Sequence, residues 1–375
     1  MTIRRQLAAV FILMIAATFC LSRPGFAQGP QGAQPDMTID GATRAAVIDS
    51  AIKHLNQAYV FPEVAKKMEQ SLRERLANKE YDSATSARGF AERLTTDLQA
   101  VSHDKHLRVG YSSEPIPERT RAEEPTAEEI ERFKTMLRQT NYGFEKLERL
   151  SGNIGYLDLR GFNPAQFAAE TGAAAMNFLA NTDALIIDLR RNGGGDPAMV
   201  AFLTSYLFGN EPVHLNDLYF RPEDATHQWW TLPHVPGKRF GGEKEVYVLT
   251  SKRTFSAAEE FTYNLKNLKR ATIVGETTGG GAHPGGPRRL SEHFQMFVPS
   301  GRAINPISKT NWEGTGVEPD VKVPAEQALK VAQVSALTKL IDKETSPQRK
   351  DALKGALDTA QRELDELKKG AKPTP

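Results

Sequence analysis

Ala184-Leu185-Ile186-Ile187-Asp188-Leu189 is apolar on alternate and on intervening positions alike, with a single acid near its end. A strand with two apolar faces must be covered on both, as in the centre of a parallel sheet sandwiched by helices. The flanking chain fits that demand. Strands are predicted at 153–159, 246–250, 271–275 and 293–298. Helical patterns fall at 164–179, from Pro197 onward, and at 261–268. Strands alternating with helices from residue 151 to about 330 predict an α/β domain.

The chain before it reads differently. Ala46, Val47, Ile48, Ala51, Ile52 and Leu55 keep helical spacing, and Val64, Met68, Leu72 and Leu76 recur every four residues. A small helical domain is therefore expected over 28–112, after a Gly/Pro/Gln-rich stretch from Gln28 to Met37 and ending in a strand-like segment, His103 to Tyr111. Residues 113–150, with Pro115, Pro117 and Pro125, read as a linker followed by a helix. Residues 331–375 form a helical tail in which Leu353, Leu357, Ala360, Leu364 and Leu367 follow a four-three spacing. Docking of that stripe on the protein's own surface is expected; a homo-oligomer contact is the alternative.

Arg4 and Arg5 precede an apolar run from Leu7 to Leu21, and Gly25-Phe26-Ala27 ends in a small residue. Residues 1–27 thus read as a secretory signal peptide, which implies an exported protein, periplasmic or secreted, with no stable membrane insertion after cleavage. The one cysteine, Cys20, lies inside this leader, so the remaining chain can form neither a disulfide nor a thiolate metal site. The leader also holds three cations and no acid, so its removal turns the formal charge from +2 to −1. No basic excess is left to suggest nucleic acid as a partner.

Two motifs carry chemistry. Thr254-Phe255-Ser256-Ala257-Ala258-Glu259-Glu260 follows the Val246–Thr250 strand and leads into a helix. A serine at that junction sits where helix N–H groups favour negative charge, the setting a nucleophile needs when its attack creates an oxyanion. The competing reading is an ordinary capping box, Ser256-x-x-Glu259. The second motif is Asp188-Leu189-Arg190-Arg191-Asn192-Gly193-Gly194-Gly195-Asp196-Pro197. Asp196 and Pro197 mark a helix start. The glycines form either a phosphate loop, for which a Gly-Lys-Ser/Thr ending is lacking, or an oxyanion hole. Asp188 and Arg190 are expected to pair structurally beneath the loop.

Joined by Gly275-Glu276-Thr277-Thr278-Gly279-Gly280-Gly281 and Trp312-Glu313-Gly314-Thr315-Gly316-Val317-Glu318-Pro319-Asp320, these motifs resemble, in order, the signatures of the S41 serine peptidases. That group includes the C-terminal (tail-specific) processing peptidases, the tricorn core and the repeats of interphotoreceptor retinoid-binding protein. The resemblance spans His54 to Val323 and implies a ClpP/crotonase-like catalytic domain. The processing peptidases carry a lysine base where this chain has Gly280-Gly281, and no PDZ-like insert precedes Ser151. Both departures resemble the tricorn and retinoid-binding branch. The resemblance then implies Ser256 as nucleophile, His106 of the Asp-x-His segment as general base, and Glu313 as the orienting acid. Gly194 or Gly195, with Ala257, would supply the oxyanion hole. Lys105 stands where some relatives place a serine that helps to orient the site.

The plain alternative for His106 is a surface histidine on a strand; His103 with His106 as a metal pair lacks supporting ligands. His283 is the competing base and also a candidate substrate contact. Trp229 and Trp230, in a long aromatic segment from Asn210 to Gly242, are candidate substrate contacts on a loop or an apolar plug. The expectation is an exported serine endopeptidase acting on peptides or unfolded protein, without metal or cofactor. The rivals are a binding protein for a hydrophobic ligand and a non-peptide serine hydrolase on the same scaffold.

Overall fold

A computed structural model describes residues 35–118 and 125–370. The signal-peptide reading of residues 1–27 falls outside them. The chain divides into two compact units. One comprises Met1–Glu131, Leu218–His227 and His283–Ala303; the other comprises Arg132–Asp217, Gln228–Ala282 and Ile304–Pro375.

In the first unit the predicted helices form at Gly41–Ala58, Pro62–Ala77 and Ala87–Ser102. Asp40 and Ser86 cap the first and third by accepting from Thr43 N and Gly89 N. The third stops where His103 turns left-handed at φ 56°. Val47, Ile48, Leu55, Met68, Leu72, Phe90 and Leu94 share one buried core. The strand expected at 103–111 shrinks to Arg108–Tyr111. It pairs antiparallel with Phe294–Pro299, which pairs with Gly285–Arg289. The strand read at 293–298 therefore belongs to this small sheet and not to the α/β sheet. A lone strand leaves its backbone groups unpaired, and its partners here come from a distant part of the chain.

The second unit carries the α/β sheet. Its six strands run in the order Val321–Lys322, Thr272–Gly275, Glu245–Thr250, Ala184–Asp188, Ile154–Leu159, Phe144–Leu150. All neighbours are parallel except the last pair. Ala184–Asp188 is buried along its whole length, as its two apolar faces require. Leu185 and Ile187 face a core shared with Leu179, Phe202 and Phe261 of the helices Ala165–Leu179, Pro197–Ser205 and Ala257–Asn267. Ile186 faces the other way, toward Ala332, Ala336 and Leu337 of Ala328–Lys343. The tail helix Pro347–Gly370 buries Leu353, Ala360 and Leu364, so its apolar stripe docks on the protein itself.

One segment departs from expectation. After the helix Ala127–Gln139, Phe144–Leu150 is a strand and not part of a helix. Phe-Glu-Lys-Leu-Glu-Arg-Leu puts its charges into water along a sheet edge, where charged side chains are tolerated. No helix among the described residues is long and apolar enough to cross a membrane.

Candidate active site

Ser256 joins the buried strand Glu245–Thr250 to the helix that begins at Ala257. Its backbone stands at φ 55°, ψ −124°. A non-glycine residue in such a region costs on the order of 1–3 kcal/mol and persists only where its surroundings fix it. They do so here. Phe255 N–H donates to the Asn192 carbonyl at 3.1 Å, and the Ser256 carbonyl accepts from Glu259 and Glu260 N–H at 2.8 and 2.9 Å. The Glu259 carboxylate reaches back to Ser256 N–H at 2.9 Å. That contact is half of a capping box, so the capping reading holds alongside the strain. Ala257 N–H sits at the positive end of the helix dipole.

The glycine loop of 193–195 is pinned from within. Asn192, fully buried, donates to the Leu159 carbonyl at 3.0 Å and accepts from Gly194 N–H at 2.9 Å. Gly194 N–H is thereby committed inside the loop, which removes it from the pair of expected oxyanion donors. What Gly194 supplies is closeness: at φ 107°, a Cβ there would lie 2.7 Å from Ser256 Cβ and 2.9 Å from Ala257 N. Gly195 forms a parallel bridge with Phe162 through the Gly194 carbonyl and Asp196 N–H. This pattern turns Gly195's own N–H away from Phe162. Asp196 caps the next helix, as predicted, by accepting from Ala198 N–H at 2.8 Å. Burial pushes its carboxyl up to about 6.

Glu259, which the sequence offered only as a cap, is a hydrogen-bonding hub beneath the serine. One carboxylate oxygen accepts from Thr278 Oγ1 at 2.5 Å and Gly280 N–H at 2.6 Å; the other accepts from Ser256 N–H and from Gly281 N–H at 2.8 Å. One buried carboxylate thus ties the serine to the second glycine-rich segment. Burial pushes it up to about 7 against the pull of these four donors. The same segment holds Glu313, whose Oε2 accepts from Ala282 N–H at 2.5 Å. Trp312 Nε1 donates to the Gly281 carbonyl at 2.7 Å beside it. Ser256 and Glu313 are therefore braced on one loop, 278–282. Asp188 and Arg190 form the expected ion pair, 2.6 Å apart, with Tyr156 donating to the same carboxylate at 2.7 Å.

In the first unit, His106 is largely but not wholly buried, its side chain 11% exposed and stacked on Phe297, and burial takes its imidazole down to about 4 although Asp104 opposes the shift. It is not the exposed strand histidine of the plain reading. His283 Nδ1 lies 2.8 Å from Asp104 Oδ2. Trp229 and Trp230 are placed on the strand Ala225–Trp230, which corrects the loop reading of that stretch. Trp230 is 41% exposed and stacks on His214 at 4.3 Å. His214 in turn meets Asp217 at 2.7 Å.

The pattern of peptidase family S41 matches residues 153–323, and that of the N-terminal domain of S41 peptidases in eukaryotic IRBP matches residues 41–149. The chain belongs to peptidase family S41. It is 27% identical over 193 residues to the tricorn protease of Thermoplasma volcanium, covering 47% of this chain but only 16% of that protein. A putative peptidase from Parabacteroides merdae superposes with a TM-score of 0.54 at 18% identity, covering 81% of this chain and 99% of that one. Mature CPAF gives 0.54 at 13% identity, covering 80% and 98%. At these identities the structures speak for the fold: a helical leading region, an α/β core and C-terminal helices.

Proposed function

We propose that this chain is an exported serine peptidase acting on peptides or unfolded protein. Ser256 is the nucleophile, His106 the general base and Glu313 the orienting acid. The observation that carries the reading is the strained Ser256 backbone at a strand-to-helix turn, with a glycine pressed against it and Ala257 N–H at the helix start. The hydroxyl proton passes to the imidazole as the acyl bond forms. It goes on to the leaving amine as the C–N bond breaks, and water then releases the acyl group by the same route. Ala257 N–H with Gly195 N–H supports the oxyanion.

A fluorophosphonate probe should label the protein covalently, and Ser256→Ala should abolish both labelling and peptide hydrolysis. Its stability loss should be only about 1 kcal/mol. Peptidase activity surviving in that variant would refute the assignment, and ester turnover without peptide turnover would redirect it to another hydrolase.

A second reading places His283 as the base, supported by its 2.8 Å contact with a carboxylate. The two differ in pH dependence. A base works unprotonated, so activity rises as pH climbs through its pKa. With His106 at about 4, kcat/KM should already be flat from about pH 6 upward. A limb near neutrality that vanishes in His283→Ala, with His106→Ala mild, would move the role to His283.

A further inference from the structure

Thr278 stands where the carboxylate beneath the Ser256 turn meets the loop that holds Glu313. It is 7% exposed. Its hydroxyl oxygen lies 2.5 Å from Glu259 Oε1 and 2.7 Å from the backbone nitrogen of Val317. Its own backbone N–H donates to the Val317 carbonyl at 3.3 Å. Gly316, at φ 73°, lets the loop come this close: a Cβ there would lie 2.4 Å from the Thr278 carbonyl oxygen.

Donor and acceptor rules orient the hydroxyl. A peptide N–H can only donate, so Oγ1 accepts from Val317. The one hydroxyl hydrogen is then left for Glu259, whose carboxylate accepts it. The two bonds run in one direction, from Val317 N–H to Oγ1 and from Oγ1–H to Glu259, and bonds chained this way strengthen one another in a buried setting. The other carboxylate oxygen, Oε2, accepts from Ser256 N–H at 2.9 Å. Gly280 and Gly281 also bridge Glu259 to the 312–317 loop. Each donates its N–H to the carboxylate, and their carbonyls accept from Gly314 N–H and Trp312 Nε1. Those bridges pass through peptide groups. The Thr278 bridge passes through one side-chain oxygen, which a substitution can remove while the Thr278–Val317 backbone bond stays.

We propose that Thr278 is a positioning residue: its hydroxyl locks the loop at 312–317 to the Glu259 carboxylate and so holds the Ser256 turn and the Glu313 loop as one unit. Its part in turnover rests on the roles proposed above for Ser256 and Glu313.

The test compares Thr278→Val with Thr278→Ser in the full chain. Valine keeps the branched shape and removes the hydroxyl; serine keeps the hydroxyl and removes the methyl. In Thr278→Val, fluorophosphonate labelling of Ser256 should slow at least ~10-fold, and kcat for a peptide should fall while KM changes less than about twofold. Thr278→Ser should recover most of the rate. Amide hydrogen exchange reads the coupling without activity. The Val317 amide loses its acceptor in Thr278→Val, and the Ser256 amide on the far side of Glu259 should lose protection ~10-fold with it. An unchanged Ser256 amide or an unchanged labelling rate would overturn the proposal. So would a Thr278→Ser variant as slow as Thr278→Val. If Thr278→Val does not fold, the wild type decides: amides of Ser256 and Val317 that open as one unit share protection within ~10-fold, and a wider gap refutes the coupling. Absence of labelling in the wild type would instead defeat the serine-peptidase reading, while the exchange data still decide whether Thr278 joins the two segments.

Discussion

Gly193-Gly194-Gly195 and Gly279-Gly280-Gly281 look alike on paper and work in opposite ways. The first lies against the serine: Gly194 has room for no side chain beside Ser256 Cβ, and its N–H is tied to Asn192. In the second, Gly280 and Gly281 give their N–H groups to Glu259, which passes the restraint on to Ser256 N–H. One triplet shapes the Ser256 turn by contact, the other through a carboxylate. A glycine can thus be required for what it lacks or for what its backbone can donate, and only the partner reveals which.

The largest effect should come from Gly194→Ala. It places a methyl 2.7 Å from Ser256 Cβ at φ 107°, so Ser256 labelling should fall ~10²-fold or more, as displaced reacting groups do. Gly280→Ala, at φ 81° and 3.0 Å from Gly316 N, should cost more stability than activity. Equal kinetic damage from both would erase the distinction. Glu259→Gln comes next. The amide offers one acceptor oxygen to four donors, so urea unfolding should show a loss of about 3 kcal/mol together with slower labelling.

Glu260, the next residue, sharpens the contrast because burial pushes its carboxyl up to about 8 without such a ring of donors. The folded state therefore holds this proton where the unfolded chain has lost it, and stability falls as pH rises from the unfolded value toward 8. Glu260→Gln should raise the melting temperature relative to wild type at pH 9 and change it little at pH 5. A uniform shift at both would contradict the burial argument. Smallest of all should be Gly193→Ala. No atom lies within 4 Å of a Cβ there, so stability should move by no more than about 0.5 kcal/mol.

Local pattern made much of this legible. The doubly apolar 184–188 strand announced the sheet, and Ser256 and the 193–195 loop stood out because strand, turn and helix signals coincide there. Phe144–Leu150 escaped because its Glu, Lys and Arg suit a helix as well as an edge strand, and only pairing with Ile154–Leu159 decides. The segment with Trp229 and Trp230 escaped because its strand is largely exposed and lacks an apolar face. The structural work of Glu259 was hidden for another reason. Its capping contact is three residues away, but its other partners lie 19 to 22 residues on, and spacing carries no trace of a bond closed by the fold. The same holds for Asp104 and His283.

The reach of Glu259 also sets how this region can be inherited. Segment 278–282 and the turn at Ser256 grip one carboxylate, so neither can be exchanged alone. A chimera that imports a relative's loop without its matching glutamate would leave donors stranded at one end and the Ser256 turn unbraced at the other. The piece that can be transplanted is the pair, although nearly twenty residues of chain lie between its halves.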